Sequence, residues 1–167
     1  DGDTSSLNAL ITNPGADGRV SLREAITAAN NTTGTDTLRF NIPDARVGGA
    51  HTIAVATDLP TLSDAVIIDG SSEPDFAGAP VVVLDGGDSA ARGLEIGASG
   101  STVRGLVIER FTSRGILVDG GVANTVIAGN YIGTDVTGLL ARGNGGWGID
   151  LLGAGSGTLI GGTTSAD

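Results

Sequence analysis

The chain has 167 residues, with nineteen acidic side chains against nine basic ones, a formal charge of −10, and no cysteine. The missing cysteines exclude disulfides, thiolate metal sites and a cysteine nucleophile, and the acidic balance argues against nucleic acid or an anionic membrane surface as a partner. Glycine occurs 29 times, well above the usual ~7%, and the aromatics are one Trp, one Tyr and three Phe, so the pattern is an aliphatic core built from short strands and tight turns.

The first thirty residues differ from the rest. Residues 7–11 are compatible with a strand or a helical turn, and Asn13-Pro14-Gly15 and Asp17-Gly18 are turn signals. Ser21 then stands as an N-cap with Glu24 three residues later, the spacing of a capping box. Leu22, Ala25, Ile26 and Ala29 fall on one helical face. A short amphipathic helix is therefore expected over about 22–30, within an N-terminal cap spanning 1–34.

From Thr35 the pattern changes to strands. Thr37-Leu38-Arg39-Phe40-Asn41-Ile42 alternates before Pro43, and Thr52-Ile53-Ala54-Val55, Ala65-Val66-Ile67-Ile68 and Val81-Val82-Val83-Leu84 follow. Residues 71–80, with two prolines and two acids, are expected to be a surface excursion. No apolar run reaches the ~20 residues of a membrane span. No signal peptide opens the chain, so an exported protein would be represented here by its mature form.

Residues 99–163 repeat a phrase. Val103-Arg104-Gly105-Leu106-Val107-Ile108 returns as Ile127-Ala128-Gly129-Asn130-Tyr131-Ile132 and begins again at Ile160-Gly161-Gly162. A second column is Leu94-Glu95-Ile96, Ile116-Leu117-Val118 and Ile149-Asp150-Leu151, each preceded by Gly93, Gly115 or Gly148. Spacings are 22 and 33 in this column and 24 and 33 in the first, which places one shared insertion, a projecting loop, at 133–147. A repeat of about 22 residues with Gly-rich corners suits one coil of a parallel β-helix, whereas the Leu-x-x-Leu-x-Leu pattern of leucine-rich repeats is missing. The expected fold is all-β, a parallel β-helix solenoid over 35–167, with the helix of Ser21, Leu22, Glu24 and Ile26 capping an end that would otherwise expose strand edges.

Ser21-Leu22-Arg23-Glu24-Ala25-Ile26 with Ala29-Asn30 resembles the CSLREA or GSLRxAI opening of large bacterial cell-surface and secreted proteins with a right-handed, pectin-lyase-like parallel β-helix. Further matches are Phe40-Asn41-Ile42-Pro43, His51-Thr52-Ile53, Leu59-Pro60-Thr61-Leu62, Ile68-Asp69-Gly70, Gly129-Asn130-Tyr131-Ile132-Gly133-Thr134-Asp135 and Ile160-Gly161-Gly162-Thr163-Thr164. The likeness covers nearly the whole chain and implies a right-handed β-helix in an extracellular or cell-surface setting. It says little about chemistry, because the fold hosts lyases, hydrolases, adhesins and spikes. Val20 stands where many relatives have cysteine, and relatives usually continue into further coils where this chain stops.

Candidate chemistry is sparse. Glu95, Leu117 and Asp150 share an outward ladder position, so Glu95 and Asp150 are expected two coils apart, about 9–10 Å. That is the upper limit for an inverting glycosidase pair and too wide for a retaining one. A solvated surface pair is the plainer reading, since nothing converges on them. Asp69, Asp85 and Asp119 precede glycine as turn residues do. Calcium is the one cofactor left open, although no dense Asp/Asn loop of the EF-hand kind occurs. His51 is the only histidine and reads as structural, which excludes zinc held by several histidines. The possible bases for polysaccharide elimination reduce to arginine, His51 or Tyr131; Arg104 and Arg110 are candidates, but salt bridges explain them as well, and Asn130 reads as a buried corner residue satisfying turn backbone. Trp147, at the end of the inserted loop, and Tyr131 are the candidate carbohydrate contacts, although packing onto the coil is the plainer role for Trp147.

These readings converge on a non-catalytic structural or adhesive module of an exported surface protein, self-assembling by head-to-tail strand addition or meeting an extracellular glycan. The alternatives are a polysaccharide lyase or glycoside hydrolase using Glu95 and Asp150, and a passive carbohydrate-binding module.

Overall fold

The computed structural model describes residues 1–161, so the Gly162-Thr163-Thr164 part of the last repeat lies outside the described residues. Two helices, α1 (Leu7–Thr12) and α2 (Leu22–Asn30), precede the strands β1 (Asp36–Arg39), β2 (His51–Ala54), β3 (Val66–Asp69), β4 (Val82–Asp85), β5 (Arg92–Ile96), β6 (Thr102–Arg104), β7 (Leu106–Glu109), β8 (Arg114–Val118), β9 (Val126–Ala128), β10 (Tyr131–Ile132), β11 (Trp147–Leu151) and β12 (Leu159–Ile160). They form three sheets in the orders β1-β3-β6-β9-β12, β2-β4-β7-β10 and β5-β8-β11. Every pairing between these strands is parallel. The chain visits the three sheets in turn, so each circuit is one coil of a parallel β-helix. In the first circuit the third side is reduced to Leu62, which bridges to Ile96.

Register follows the aliphatic columns of the repeat. In the first sheet Leu38 opposes Ile68, Ile68 opposes Val103, Val103 opposes Ile127 and Ile127 opposes Ile160. In the third, Leu94, Ile116 and Ile149 are aligned. These columns meet in one core that also holds Leu62, Leu84, Leu106, Ile108 and Phe111. The second residue of each strand of the third sheet is a glycine, and close approach requires it in the first two: a Cβ on Gly115 would stand 2.6 Å from the Gly148 carbonyl oxygen, and one on Gly93 would collide with that of Gly115. The corners between β6 and β7 and between β9 and β10 instead need positive φ, +70° at Gly105 and +62° at Gly129.

The expected cap forms. Ser21 Oγ accepts from Glu24 N at 3.2 Å, and Glu24 Oε2 accepts from Ser21 N at 2.8 Å, a complete capping box. Leu22, Ile26 and Ala29 join the core. Polar residues of α2 bind the first coil's backbone: Arg23 donates to the Thr57 and Asp58 carbonyls, Asn30 Nδ2 donates to the Thr61 carbonyl, and Asn30 Oδ1 accepts from Ser63 N. Groups that an unpaired end would leave open are thereby satisfied. The ambiguous residues 7–11 are helical, because Ser6 Oγ accepts from Ala9 N and caps α1.

Two expectations need adjustment. The strand read through Ile42 stops at Arg39, because Phe40 N donates to Ser72 Oγ at 2.8 Å and Ile42 N to Glu73 Oε2 at 3.0 Å; side chains replace the ladder there. The 71–80 excursion is consequently not wholly on the surface, since Glu73 is 3% exposed.

Candidate functional site

The outward ladder of the third sheet is as the repeat implied, with Glu95 opposite Leu117 and Leu117 opposite Asp150. Each carboxylate is held by an arginine. Arg92, which also faces Asp58 at 3.4 Å, binds Glu95, and Arg114 Nε donates to Asp150 Oδ2 at 2.5 Å. Leu117 between them is itself buried. The nearby Asp119 carboxyl is pushed up by burial and by the Glu95 charge. The pair is thus two separate ion pairs across an apolar residue.

Trp147 and Tyr131 are not brought onto one face. Trp147 begins β11 in the third sheet, and its ring lies 5.2 Å from the Arg114 guanidinium carbon, a cation–π contact. It remains 56% exposed. Tyr131 lies in the second sheet, half-buried in a cluster with Ala50, Val83, Val107 and Val136. Val136 comes from the inserted 133–147 segment, which folds back on itself through an antiparallel bridge between Thr134 and Ala141. Asp135 organises its tip, accepting from the Thr137, Leu139 and Leu140 amides. The loop located by spacing therefore packs on the outside of the second sheet and ends at Trp147.

Two of the three aspartates before glycine, Asp69 and Asp85, are turn residues with a second task. Asp69 accepts from Ser71 N and from Arg104 Nη2 at 2.9 Å, and Asp85 accepts from Gly87 N and from Arg110 of the next coil. Burial pushes the Asp69 carboxyl up, but the bonds from Arg104 and Ser71 outweigh it and hold it below the ordinary aspartate value. Arg104 and Arg110 are held more firmly protonated by the same pairs, which is the opposite of what a general base needs. Glu109, opposite Asp85, is pushed up by burial and by the Asp85 charge, and its Oε2 has no hydrogen-bond partner among the described residues. Asn130 is a corner residue satisfying turn backbone, half-buried rather than buried: Oδ1 accepts from Leu106 N at 3.0 Å and Nδ2 donates to the Val103 carbonyl at 2.9 Å.

The densest convergence of polar chemistry lies elsewhere, at the start of β2. His51 Nε2 stands 3.2 Å from Asp75 Oδ2 and 3.7 Å from Glu73 Oε1. The His51 and Glu73 side chains are 2% and 3% exposed, and that of Asp75 is 48% exposed. Arg46 Nε approaches the same Asp75 oxygen at 3.1 Å. His51 also lines a groove of about 780 Å³ between the start of α2, β1, the 40–47 segment and β2. Sequence reasoning took His51 alone and left Glu73 and Asp75 as charges in an excursion. The only available signal was register. Pairing of β2 with β4 sets His51 opposite Val82, which draws the segment before β4 toward the histidine.

No family model, curated protein or solved structure matches this chain. Among the described residues no helix is long and apolar enough to cross a membrane.

Proposed function

We infer that the chain is a structural or adhesive module of an exported surface protein, a right-handed pectin-lyase-like β-helix whose last coil takes on further strands. The observation that carries this reading is the asymmetry of the stack. α2 closes the first coil, whereas β10, β11 and β12 each end their sheets among the described residues, and Leu151, Leu152, Leu159 and Ile160 are 42–51% exposed around them. Parallel edges that no described strand pairs, beside apolar side chains, are templates for strand addition. In this reading the added strand comes from another copy of the chain joining head to tail, and the export setting rests on the likeness of the Ser21-to-Asn30 segment to surface-protein openings.

Sedimentation velocity over a wide concentration range tests it. Reversible assemblies are expected to grow with concentration and to vanish in Ile160→Glu, which sets a charge on the apolar edge. A wild-type chain that stays monomeric throughout overturns the reading.

A second reading, passive glycan binding, is favoured by the exposed Trp147 ring with Arg114 against it, an arrangement suited to stacking on a sugar face. It predicts retention on a glycan array that Trp147→Ala abolishes, and fails if the wild-type chain is not retained.

A further inference from the structure

We propose that His51, Glu73 and Asp75 form a binding site for one divalent transition-metal ion of the zinc class. The three donor atoms lie within 4.8 Å of one another, and the two contacts of the imidazole nitrogen are 3.2 Å and 3.7 Å. With metal–ligand bonds of about 2.0–2.2 Å, neighbouring corners of a tetrahedral site are about 3.2–3.6 Å apart. The two edges to the imidazole nitrogen are therefore already close to those of a tetrahedral site, and the edge between the two carboxylate oxygens, within 4.8 Å, closes when an ion draws both in.

An independent observation points the same way. Glu73 is 3% exposed; its Oε2 accepts from Ile42 N, but Oε1 makes no hydrogen bond among the described residues and meets His51 only at 3.7 Å. The carboxylate is thus held in a nearly buried side chain with one oxygen bonded and the other turned toward the imidazole, and a charge so placed gains from a partner. A cation held jointly with the imidazole is such a partner.

Ligand type selects the ion. Calcium and magnesium prefer all-oxygen sites, whereas one imidazole with two carboxylates suits zinc and its neighbours. The half-exposed Asp75 admits the ion from solvent, and an ion that takes Oδ2 displaces Arg46 outward, where its side chain is already 39% exposed. Solvent water completes the fourth position.

The physical consequence is a cross-link. His51 opens β2, while Glu73 and Asp75 belong to the segment leading to β4, so the ion joins neighbouring coils in a chain with no cysteine to do so. An ion bound only by the folded state raises stability with its free concentration.

The test uses the full chain with any affinity tag removed and metal stripped by chelator, titrated with zinc sulfate by calorimetry and by thermal melting. One zinc per chain and a rising melting temperature are expected, with no equivalent shift from calcium. Asp75→Asn, at a half-exposed position and with its fold checked by circular dichroism, is expected to weaken binding at least about tenfold, as loss of a ligand should. His51→Gln is expected to do the same, with circular dichroism checking its fold; where that variant does not fold, Asp75→Asn decides alone. No heat and no thermal shift up to about 1 mM zinc, weaker than any stable site requires, overturns the proposal. So does zinc binding that Asp75→Asn leaves unchanged. The strand-addition reading concerns the other end of the stack and is scored separately by sedimentation.

Discussion

One core column has two fates. In the first sheet Leu38, Ile68, Val103 and Ile127 are 7%, 0%, 0% and 2% exposed, whereas Ile160, the next in the same register, is 48% exposed. The residue types hardly change, so side-chain preference does not explain the difference. What differs is the neighbour on the outer side. Below Leu38 stands α2, with Ile26 fully buried and Asn30 and Arg23 bonded to first-coil backbone. Above Ile160 no strand is present among the described residues. A solenoid coil buries its apolar face only against another layer, and among the described residues α2 supplies one below Leu38 while nothing described covers Ile160.

The sharpest way to break this comparison is a matched truncation. Ile26→Ala is expected to cost about 3 kcal/mol in chemical denaturation, through lost burial and the cavity left behind. Ile160→Ala should cost under about 1 kcal/mol, because half of its surface is already in water. Equal costs would mean that the cap and the open end are energetically alike.

The ion pairs of the middle coils come next. Arg104→Ala is expected to cost about 2 kcal/mol at neutral pH, between the values for exposed and buried pairs, since Asp69 is nearly buried and Arg104 about one-third exposed. The Asp69 carboxyl is depressed in the folded state, so its contribution is complete above the ordinary aspartate value and is lost as pH falls through the folded one. The difference between wild type and variant should therefore shrink in the acidic range. A difference that is flat with pH there would remove the ion pair as its source.

A smaller effect than that of the ion pair is expected at the cap itself. Ser21→Ala should cost about 1 kcal/mol, measured by the same denaturation, because Glu24 keeps its bond to Gly2 N at 2.6 Å while the helix loses one half of its box. Deletion of the whole box, Ser21→Ala with Glu24→Ala, should exceed the single change, and would fail to do so if packing of Leu22 and Ile26 alone held the helix.

Much of the architecture is legible in local pattern. The column Gly93, Gly115, Gly148 and the aliphatic residues beside it determine coil length and register, because parallel stacking brings each position against its equivalent and only matching residues fill the interior. The shared offset of the insertion locates the 133–147 loop for the same reason. The capping box is local by nature and is readable from Ser21 and Glu24. Glu95 and Asp150 were placed on one ladder from spacing alone, but their arginine partners were not assigned. Arg92 is three residues from Glu95, while Arg114 and Asp150 come from successive coils. Whether a side chain turns toward such a neighbour depends on corner geometry.

By itself, then, the sequence determined the coil, its aliphatic lining, its inserted loop and the helix that covers one end, all of which follow from periodicity and near-neighbour chemistry. Only the tertiary structure decided that Phe40 and Ile42 bond to Ser72 and Glu73 rather than to a strand, that Tyr131 packs under Val136 while Trp147 stays open beside Arg114, and that His51 meets Glu73 and Asp75. Each of these joins residues in irregular segments. There no repeat constrains the partner, and the need to satisfy buried backbone and charge, rather than pattern, selects the contact.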